Sequence, residues 1–206
     1  MDFNTEQENF WAGQFGSDYI SRNQGQGLLA SNLNFFTKAL DQAGKISSCI
    51  EFGANIGMNL NSLQLLYPEI GLQGIEINET ACKELKSLIG EKNAHHTSIF
   101  DFRVTKQFDV SLIKGVLIHI NPEKLPLVYE QIYKASNRYI LIAEYYNPSP
   151  VAITYRGHQD RLFKRDFAGE FLDTYSDVSL IDYGFSYHRD PAFPQDDITW
   201  FLLEKK

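Results

Sequence analysis

The sequence lacks any apolar run near the roughly 20 uninterrupted residues that a membrane span needs. The segment MDFNTEQENFW at its start is polar and acidic, with no apolar signal-peptide core. Cysteine is scarce: only Cys49 and Cys82 are present, and neither stands in a metal-binding spacing. We therefore expect a cytoplasmic protein with two reduced cysteines, no bound metal and no membrane partner.

Positive charge is also in short supply. The 206 residues carry 19 Lys and Arg against 26 Asp and Glu, a net charge of −7 at pH 7. Nucleic acids and anionic membranes attract basic surfaces, so this balance argues against both as partners. With 43% hydrophobic residues, the chain is long enough for one domain with a full core. We predict a single domain over 1–206, and a homodimer remains open.

Segments of strand and helix character alternate along most of the chain. The predicted strands are SSCIEF, LQGIEI, HHTSIFDF, one within FDVSLIKGVLIHI, RYILIAEYY, VSLIDYGFSYH and ITWFLLEKK. Helical patterns follow the first, second and fourth predicted strands, and another precedes the sixth strand. No helical pattern separates the sixth and seventh strands. This order predicts an α/β fold with a mostly parallel seven-stranded sheet, helices on both faces and an antiparallel last strand. In such sheets, ligands bind beyond the carboxyl ends of the strands.

The stretch CIEFGANIGMNL, residues 49–60, has the pattern of a strand, a glycine turn and a helix. Gly53 and Gly57 allow a tight turn and close approach of a ligand to the backbone. Asn55 lies between them, and asparagine tolerates left-handed backbone angles better than most residues. Glu76 follows about twenty residues later, where a carboxylate accepts the ribose hydroxyls of an adenosine group.

Glu51 distinguishes between two classes of nucleotide cofactor. In dinucleotide folds, Gly-x-Gly-x-x-Gly places a pyrophosphate at a helix N-terminus, and an acid at the strand end would repel it. A carboxylate suits a cationic ligand instead, such as one with an α-amino group and a sulfonium. The chain also lacks a Tyr-x-x-x-Lys pair. Both observations argue against a nicotinamide-dependent sugar oxidoreductase.

The glycine turn resembles motif I, Glu/Asp-x-Gly-x-Gly-x-Gly, of the class I S-adenosylmethionine-dependent methyltransferases. Glu51, Gly53 and Gly57 match it, and Asn55 replaces the middle glycine. The resemblance implies the Rossmann-like fold of that family, S-adenosyl-L-methionine as cofactor and S-adenosyl-L-homocysteine as product. The cofactor-binding positions it implies are Arg22, Glu51, Gly53, Asn55, Gly57, Glu76, Ile77, Phe100, Asp101 and Lys114.

Three of these positions have specific roles in the resemblance. Glu76 would hold the ribose, and Asp101 would bind the adenine amino group. Arg22 would pair with the cofactor carboxylate from an N-terminal lid, residues 1–27. An aromatic N-terminal segment, FWAGQFGSDYISRN, together with EFGANIG and YRGHQDRLFKRDFAGEFL, is also similar to methylases associated with pseudaminic acid biosynthesis. That narrower resemblance implies a role in bacterial nonulosonic acid surface glycans.

Residues 144–165 form an insertion on the expected acceptor side, with several basic residues in an acidic chain. Arginine holds carboxylate or phosphate with paired hydrogen bonds, so an acidic sugar or nucleotide sugar would fit. The alternative is a solvated helix start, in which Lys164 and Arg165 pair with Asp166 and Glu170. The substrate-binding candidates are Tyr145, Tyr146, Tyr155, Arg156 and Arg161.

Methyl transfer to a hydroxyl usually needs a base that removes the proton. His119 and His158 are the candidate catalytic bases, although a lone histidine is more often structural. The chain has no Asp/Asn-Pro-Pro-Tyr/Phe amino-methylation motif, which favours oxygen as the methylated atom. A non-catalytic protein that keeps the cofactor fold and acts as a partner of sugar-biosynthesis enzymes remains the alternative.

Overall fold

A seven-stranded sheet forms the centre of the computed structural model, which describes residues 3–206. The strands are β1 (Ser48–Phe52), β2 (Gly71–Glu76), β3 (Ala94–His96), β4 (Phe108–Lys114), β5 (Ser136–Glu144), β6 (Val151–Tyr155), β7 (His158–Lys164), β8 (Val178–Ser186) and β9 (Ile198–Lys205). The central sheet has the order β3-β2-β1-β4-β5-β9-β8. Strands β1 to β5 are parallel, and β9 is antiparallel to both neighbours. The predicted fold is confirmed.

Helices cover both faces of this sheet. They are α1 (Glu6–Ala12), α2 (Gln14–Ile20), α3 (Gln26–Ala39), α4 (Met58–Leu66), α5 (Glu79–Ile89), α6 (Leu125–Ala135) and α7 (Phe167–Thr174), with 3₁₀ turns at Leu117–His119 and Pro122–Lys124. One core includes Phe35 and Leu60, and the core on the other face includes Phe108 and Ile132. Full burial of each such side chain stabilises the fold by about 1.5–3 kcal/mol. None of the helices in residues 3–206 is long and apolar enough to cross a membrane.

Local sequence signals set several helix ends. The Asn78 side chain accepts a hydrogen bond from the Ala81 backbone N–H at 3.1 Å, which confirms the predicted N-cap of α5. Pro68 lies just beyond the C-terminus of α4, as its inability to continue a helix predicts. Both cysteines are buried and free, as predicted.

The third strand differs from its prediction. The pattern HHTSIFDF predicts a strand, but β3 ends at His96 and contains both histidines. Beyond it, the Ser98 hydroxyl accepts a hydrogen bond from Phe100 N, and the Ser98 carbonyl accepts one from Phe102 N. This local side-chain and backbone bonding replaces the sheet ladder.

The insertion 144–165 contains β6 and β7, which pair as an antiparallel ribbon apart from the main sheet. Its turn residues Arg156 and Gly157 have φ of +49° and +84°. Two positive φ values are typical of the two-residue turn that matches strand twist. The ribbon lies against the N-terminal segment, whose first two predicted lid residues, 1 and 2, lie outside the described residues.

Gly57 carries a backbone requirement that we expect to affect stability. Its φ is +87°, and a Cβ there would lie 2.7 Å from Leu88 Cδ2 and 2.8 Å from Leu85 Cδ1. Gly57→Ala should therefore lower the free energy of unfolding by about 1–3 kcal/mol, measured by urea denaturation. Gly27→Ala is the control, because a Cβ at Gly27 meets open space in α3. Equal stabilities for the two variants would contradict this account.

Candidate functional site

A large cavity opens beyond the carboxyl ends of β1, β2 and β4. It has roughly 1350 Å³ of empty space when its open mouth is included. The strand order reverses beside β1, so the cavity lies at the switch point where α/β sheets bind ligands. Trp11 and Tyr19, from α1 and α2, line the side opposite the sheet.

Glu76 is held at the cavity wall by two backbone donors. Asn55 N donates to Glu76 Oε2 at 2.8 Å, and Asn78 N donates to Oε1 at 2.7 Å. Asn55 has φ +49°, so asparagine does adopt the left-handed conformation predicted for it. Burial raises the pKa of Glu76. An ionised carboxylate has about four lone-pair positions, so Glu76 can still accept hydrogen bonds from a ligand diol.

Glu51 lies fully buried at the end of β1, behind the cavity. Its Oε1 accepts a hydrogen bond from Asn59 Nδ2 at 2.6 Å, whereas its Oε2 has no partner within residues 3–206. Burial raises the pKa of Glu51 to about 8, against the opposing effects of Asn59 and Lys114. A buried acceptor without a donor is costly, so this oxygen suits a cationic or hydrogen-bond-donating ligand.

Lys114 lies at the end of β4 and lines the cavity. Burial lowers its pKa, and the charge of Glu51 acts most strongly in the other direction. Across the described part of the chain, no carboxylate oxygen comes within 4.0 Å of Lys114 Nζ. The neighbouring ends of β1 and β4 therefore present an acid and an amine, a pairing that complements the ammonium and carboxylate of an amino acid.

Glu144, at the end of β5, holds the next loop of the site and was not predicted. Its Oε1 accepts hydrogen bonds from Val116 N and Leu117 N, both at 2.9 Å. Burial raises the pKa of Glu144 to about 7. This carboxylate fixes the turn that carries His119 into the cavity. An acid ending an apolar strand, as at Glu51, was the available sequence signal.

His119 is 8% exposed and lines the cavity. Its Nδ1 lies 2.6 Å from the carbonyl oxygen of Arg161. Because a carbonyl can only accept, Nδ1 carries the hydrogen and Nε2 has a free lone pair. Burial lowers the pKa of His119 to about 4, so the ring is neutral at neutral pH. Nε2 is thus an available acceptor, although the lowered pKa makes the ring a weaker base than a free histidine.

His158, the other candidate base, has a different environment. It is exposed, does not line the cavity, and packs with its ring centre 5.0 Å from that of Phe10. Tyr155 pairs with His158 across the ribbon, and its ring centre lies 5.1 Å from that of His119.

The two arginines predicted to bind substrate, Arg156 and Arg161, also have different environments. Arg161 donates from Nη2 to Glu6 Oε2 at 3.1 Å, so its charge is already paired with α1. Arg156 is exposed at the ribbon turn, with its guanidinium 5.6 Å from the ring centre of Tyr155. Arg165 pairs with Glu170 at 2.6 Å, as the alternative predicts, but Arg165 is partly buried and Lys164 ends β7 instead of beginning a helix.

Of the tyrosine candidates, Tyr145 has its pKa raised by burial and then by the charge of Asp196, a residue that lines the cavity. Tyr146 is 42% exposed and faces Phe201.

Seven predicted site residues line the cavity: Gly53, Asn55, Glu76, Ile77, Phe100, Lys114 and His119. Ten do not: Arg22, Glu51, Gly57, Asp101, Tyr145, Tyr146, Tyr155, Arg156, His158 and Arg161. Arg22 and Asp101 are exposed.

Glu8 is a further cavity residue that sequence reasoning missed. It is 6% exposed, and its Oε1 accepts a hydrogen bond from Ser98 Oγ at 2.5 Å. Its Oε2 accepts from Thr5 N at 2.9 Å, while Thr5 Oγ1 accepts from Glu8 N. This is a capping box, and the pattern TEQE was its signal. Glu8 therefore both begins α1 and attaches it to the cavity edge.

No protein-family model and no curated protein matches this chain. Solved structures do match its fold. The Burkholderia thailandensis 1,6-didemethyltoxoflavin-N1-methyltransferase, solved with 1,6-didemethyltoxoflavin and S-adenosylhomocysteine, matches with TM-score 0.75 and 14% identity over 100% of this chain and 92% of its own. Magnesium protoporphyrin IX methyltransferase from Synechocystis PCC 6803, solved with S-adenosylmethionine, matches with TM-score 0.65 and 14% identity over 100% of both chains.

A third match is mitomycin 7-O-methyltransferase, with TM-score 0.70 and 12% identity over 98% of this chain. The chain spans 61% of the length of that enzyme. At these identities the comparison establishes the fold. The chain has the class I methyltransferase fold, in agreement with the expectation from its sequence.

Glu51 should make the stability of the protein depend on pH. Its pKa is about 8 in the folded state and 4.5 without its environment, so between these values the folded state holds the extra proton. Stability must therefore fall as pH rises through that range. Glu51→Gln keeps an acceptor for Asn59 and removes the titration. From pH about 5 to pH about 9, the free energy of unfolding of Glu51→Gln should rise by at least about 1 kcal/mol relative to that of the parent protein.

Urea unfolding of both proteins at the two pH values measures this difference. Glu84→Gln, at an exposed position of α5, is the matched control and should show the pH dependence of the parent. A Glu51→Gln profile parallel to that of the parent would show that Glu51 does not hold the extra proton.

Proposed function

We propose that this protein is an S-adenosylmethionine-dependent methyltransferase that methylates a hydroxyl oxygen of a small acidic sugar, its precursor or its nucleotide-linked form. The pathway we infer is bacterial nonulosonic acid synthesis of the pseudaminic acid type. The observation that carries the enzymatic proposal is the cavity at the sheet switch point, which combines Glu76, Lys114 and the free Nε2 of His119.

The residues around the cavity suit S-adenosylmethionine. Glu76 would accept the ribose hydroxyls, with Ile77 and Phe100 beside the adenine. Glu51 and Lys114 would face the ammonium and carboxylate of the methionine part, and the unpartnered Glu51 Oε2 supports that assignment. When bound, this cofactor supplies an electrophilic methyl group and leaves S-adenosylhomocysteine. The cofactors named for the Synechocystis and Burkholderia structures support the choice.

Oxygen is the favoured acceptor atom because His119 can receive a hydroxyl proton. Its Nε2 is free, its ring is neutral, and the ring of Trp11 lies 4.6 Å away centre to centre. The rings of Trp11 and Tyr155 pack against His119, and Trp11 also lines the cavity. Positioning and desolvation of the acceptor would supply most of the remaining rate enhancement.

Arg156 supports an acidic acceptor. Its guanidinium has no carboxylate oxygen within 4.0 Å among residues 3–206, unlike those of Arg161 and Arg165. Its charge also acts to lower the pKa of Tyr19, a cavity residue whose pKa is raised chiefly by burial. A carboxylate at the cavity mouth would therefore find an available cation.

The cofactor assignment is tested by calorimetric titration with S-adenosylmethionine, S-adenosylhomocysteine and NAD. We expect the first two to bind and NAD to give no heat of binding. Glu76→Gln should lower the affinity for S-adenosylmethionine and S-adenosylhomocysteine by about tenfold or more, because charge-assisted hydrogen bonds are stronger than neutral ones. Glu79→Gln, which removes an exposed acid paired with Lys83, should bind like the parent. Failure of folded parent protein to bind either compound would refute the proposal.

Turnover tests the acceptor side and also the non-catalytic alternative, which predicts cofactor binding without product. With S-adenosylmethionine and an acidic nonulosonic sugar, we expect S-adenosylhomocysteine to form. His119→Gln should lower kcat by about 100-fold or more with cofactor affinity retained. Arg156→Ala should raise KM for the sugar, whereas Arg138→Ala, at the other end of β5, should not.

His158→Gln distinguishes the two candidate bases. A large loss of kcat in this variant, with His119→Gln active, would contradict the assignment of His119. Equal use of neutral and acidic sugars by the parent would contradict the role of Arg156.

A further inference from the structure

The hydrogen bond that orients His119 comes from a bulge in β7. Ile153 pairs with Leu162 and Tyr155 pairs with His158, so three residues of β7 lie opposite one residue of β6. Within the bulge, Asp160 has φ +53°. Bulges bend a strand and redirect its groups, and here the following carbonyl, that of Arg161, faces His119 Nδ1.

Gln7 holds this bulge from the side of the N-terminal helix. Its side chain is 7% exposed, and its Nε2 donates to the Asp160 carbonyl oxygen at 3.0 Å. Arg161 Nη1 donates to the same oxygen at 3.0 Å. The left-handed backbone of Asp160 is strained for a non-glycine residue, so these two donors stabilise a conformation that is otherwise unfavourable.

We propose that Gln7 and the Asp160 bulge are positioning groups that keep the His119 hydrogen on Nδ1 and leave Nε2 free. The role of Nε2 as a proton acceptor rests on the proposed function, whereas the tautomer is a property of the protein without ligands. The rings around His119 are those of Trp11 and Tyr155, and among residues 3–206 the hydrogen bond of the His119 ring is the one to the Arg161 carbonyl oxygen. The hydrogen bond to Arg161 is therefore what selects the tautomer.

Without that acceptor, a neutral histidine distributes between its two tautomers. In the form with hydrogen on Nε2, the nitrogen facing the cavity would be a donor and could not remove a proton. Gln7 touches neither His119 nor the reacting atoms in this account and acts through the backbone of β7. Truncation of Gln7 should consequently change the tautomer without removing any group that binds the cofactor's ribose or methionine part.

The ¹⁵N chemical shifts of the histidine rings, measured on ligand-free protein near neutral pH, report the tautomer. His119→Gln identifies the His119 signals among the five histidines. We expect the parent to show hydrogen on Nδ1, and Gln7→Leu to shift the tautomer ratio toward Nε2–H by about fivefold, the factor of one neutral hydrogen bond. Gln14→Leu, which removes an exposed glutamine bonded to Asp18 on α2, should match the parent.

A second pair of variants tests the bulge through its backbone, since the Asp160 side chain is exposed. Asp160→Gly accepts a positive φ and should keep the parent tautomer, whereas β-branched Asp160→Val disfavours that φ and should lose it. Thermal unfolding verifies that each variant is folded. Hydrogen on Nε2 in the parent, or a tautomer ratio equal to that of the parent in both folded Gln7→Leu and Asp160→Val, would overturn the proposal.

Titration of the same samples with S-adenosylhomocysteine separates this inference from the proposed function. The parent tautomer together with absent binding would refute the methyltransferase proposal and retain the positioning network. Normal binding with an unchanged tautomer in Gln7→Leu and Asp160→Val would refute the positioning network and retain the methyltransferase proposal.

Discussion

Three buried carboxylates lie at or near the ends of parallel strands, and two of them, Glu76 and Glu144, hold together the loops that surround the cavity. Glu76 accepts the backbone N–H groups of two loops, and Glu144 accepts those of the turn before His119. Loops beyond a parallel sheet have no ladder to satisfy their N–H groups, and unpaired buried donors are costly. Acids in the last position of β2 and β5 meet this requirement for the turns that follow β1, β2 and β4.

The same carboxylates determine the charge of the site. Glu51 differs from the other two because one of its oxygens has no donor in the described structure. The pKa of Glu51 is about 8, so its side chain is largely protonated at neutral pH without a ligand, and a cationic group beside it would favour the ionised form. Lys114 compensates part of the negative charge and keeps an anionic group of the ligand acceptable. In the function we propose, this combination would let a fold shared in outline with dinucleotide-binding proteins select a sulfonium cofactor.

Features that depend on local sequence were predictable. The apolar strands, the Asn78 cap and the left-handed Asn55 follow from patterns within a few residues of each other. The failures involve long-range contacts. Arg161 pairs with Glu6 and Glu8 binds Ser98, contacts between segments that no spacing rule connects. His119 and His158 were equivalent as sequence candidates, and only packing distinguishes a buried, oriented ring from an exposed one.

Helix α1 contacts both sides of the cavity with three consecutive residues. Glu8 bonds to Ser98 at the edge assigned to the cofactor, while Glu6 and Gln7 bond to the ribbon beside His119. A short rigid helix cannot leave one side and keep its contacts to the other. In the function we propose, cofactor and acceptor would therefore enter and leave through one gate, and the rate at which α1 opens would limit the turnover rate.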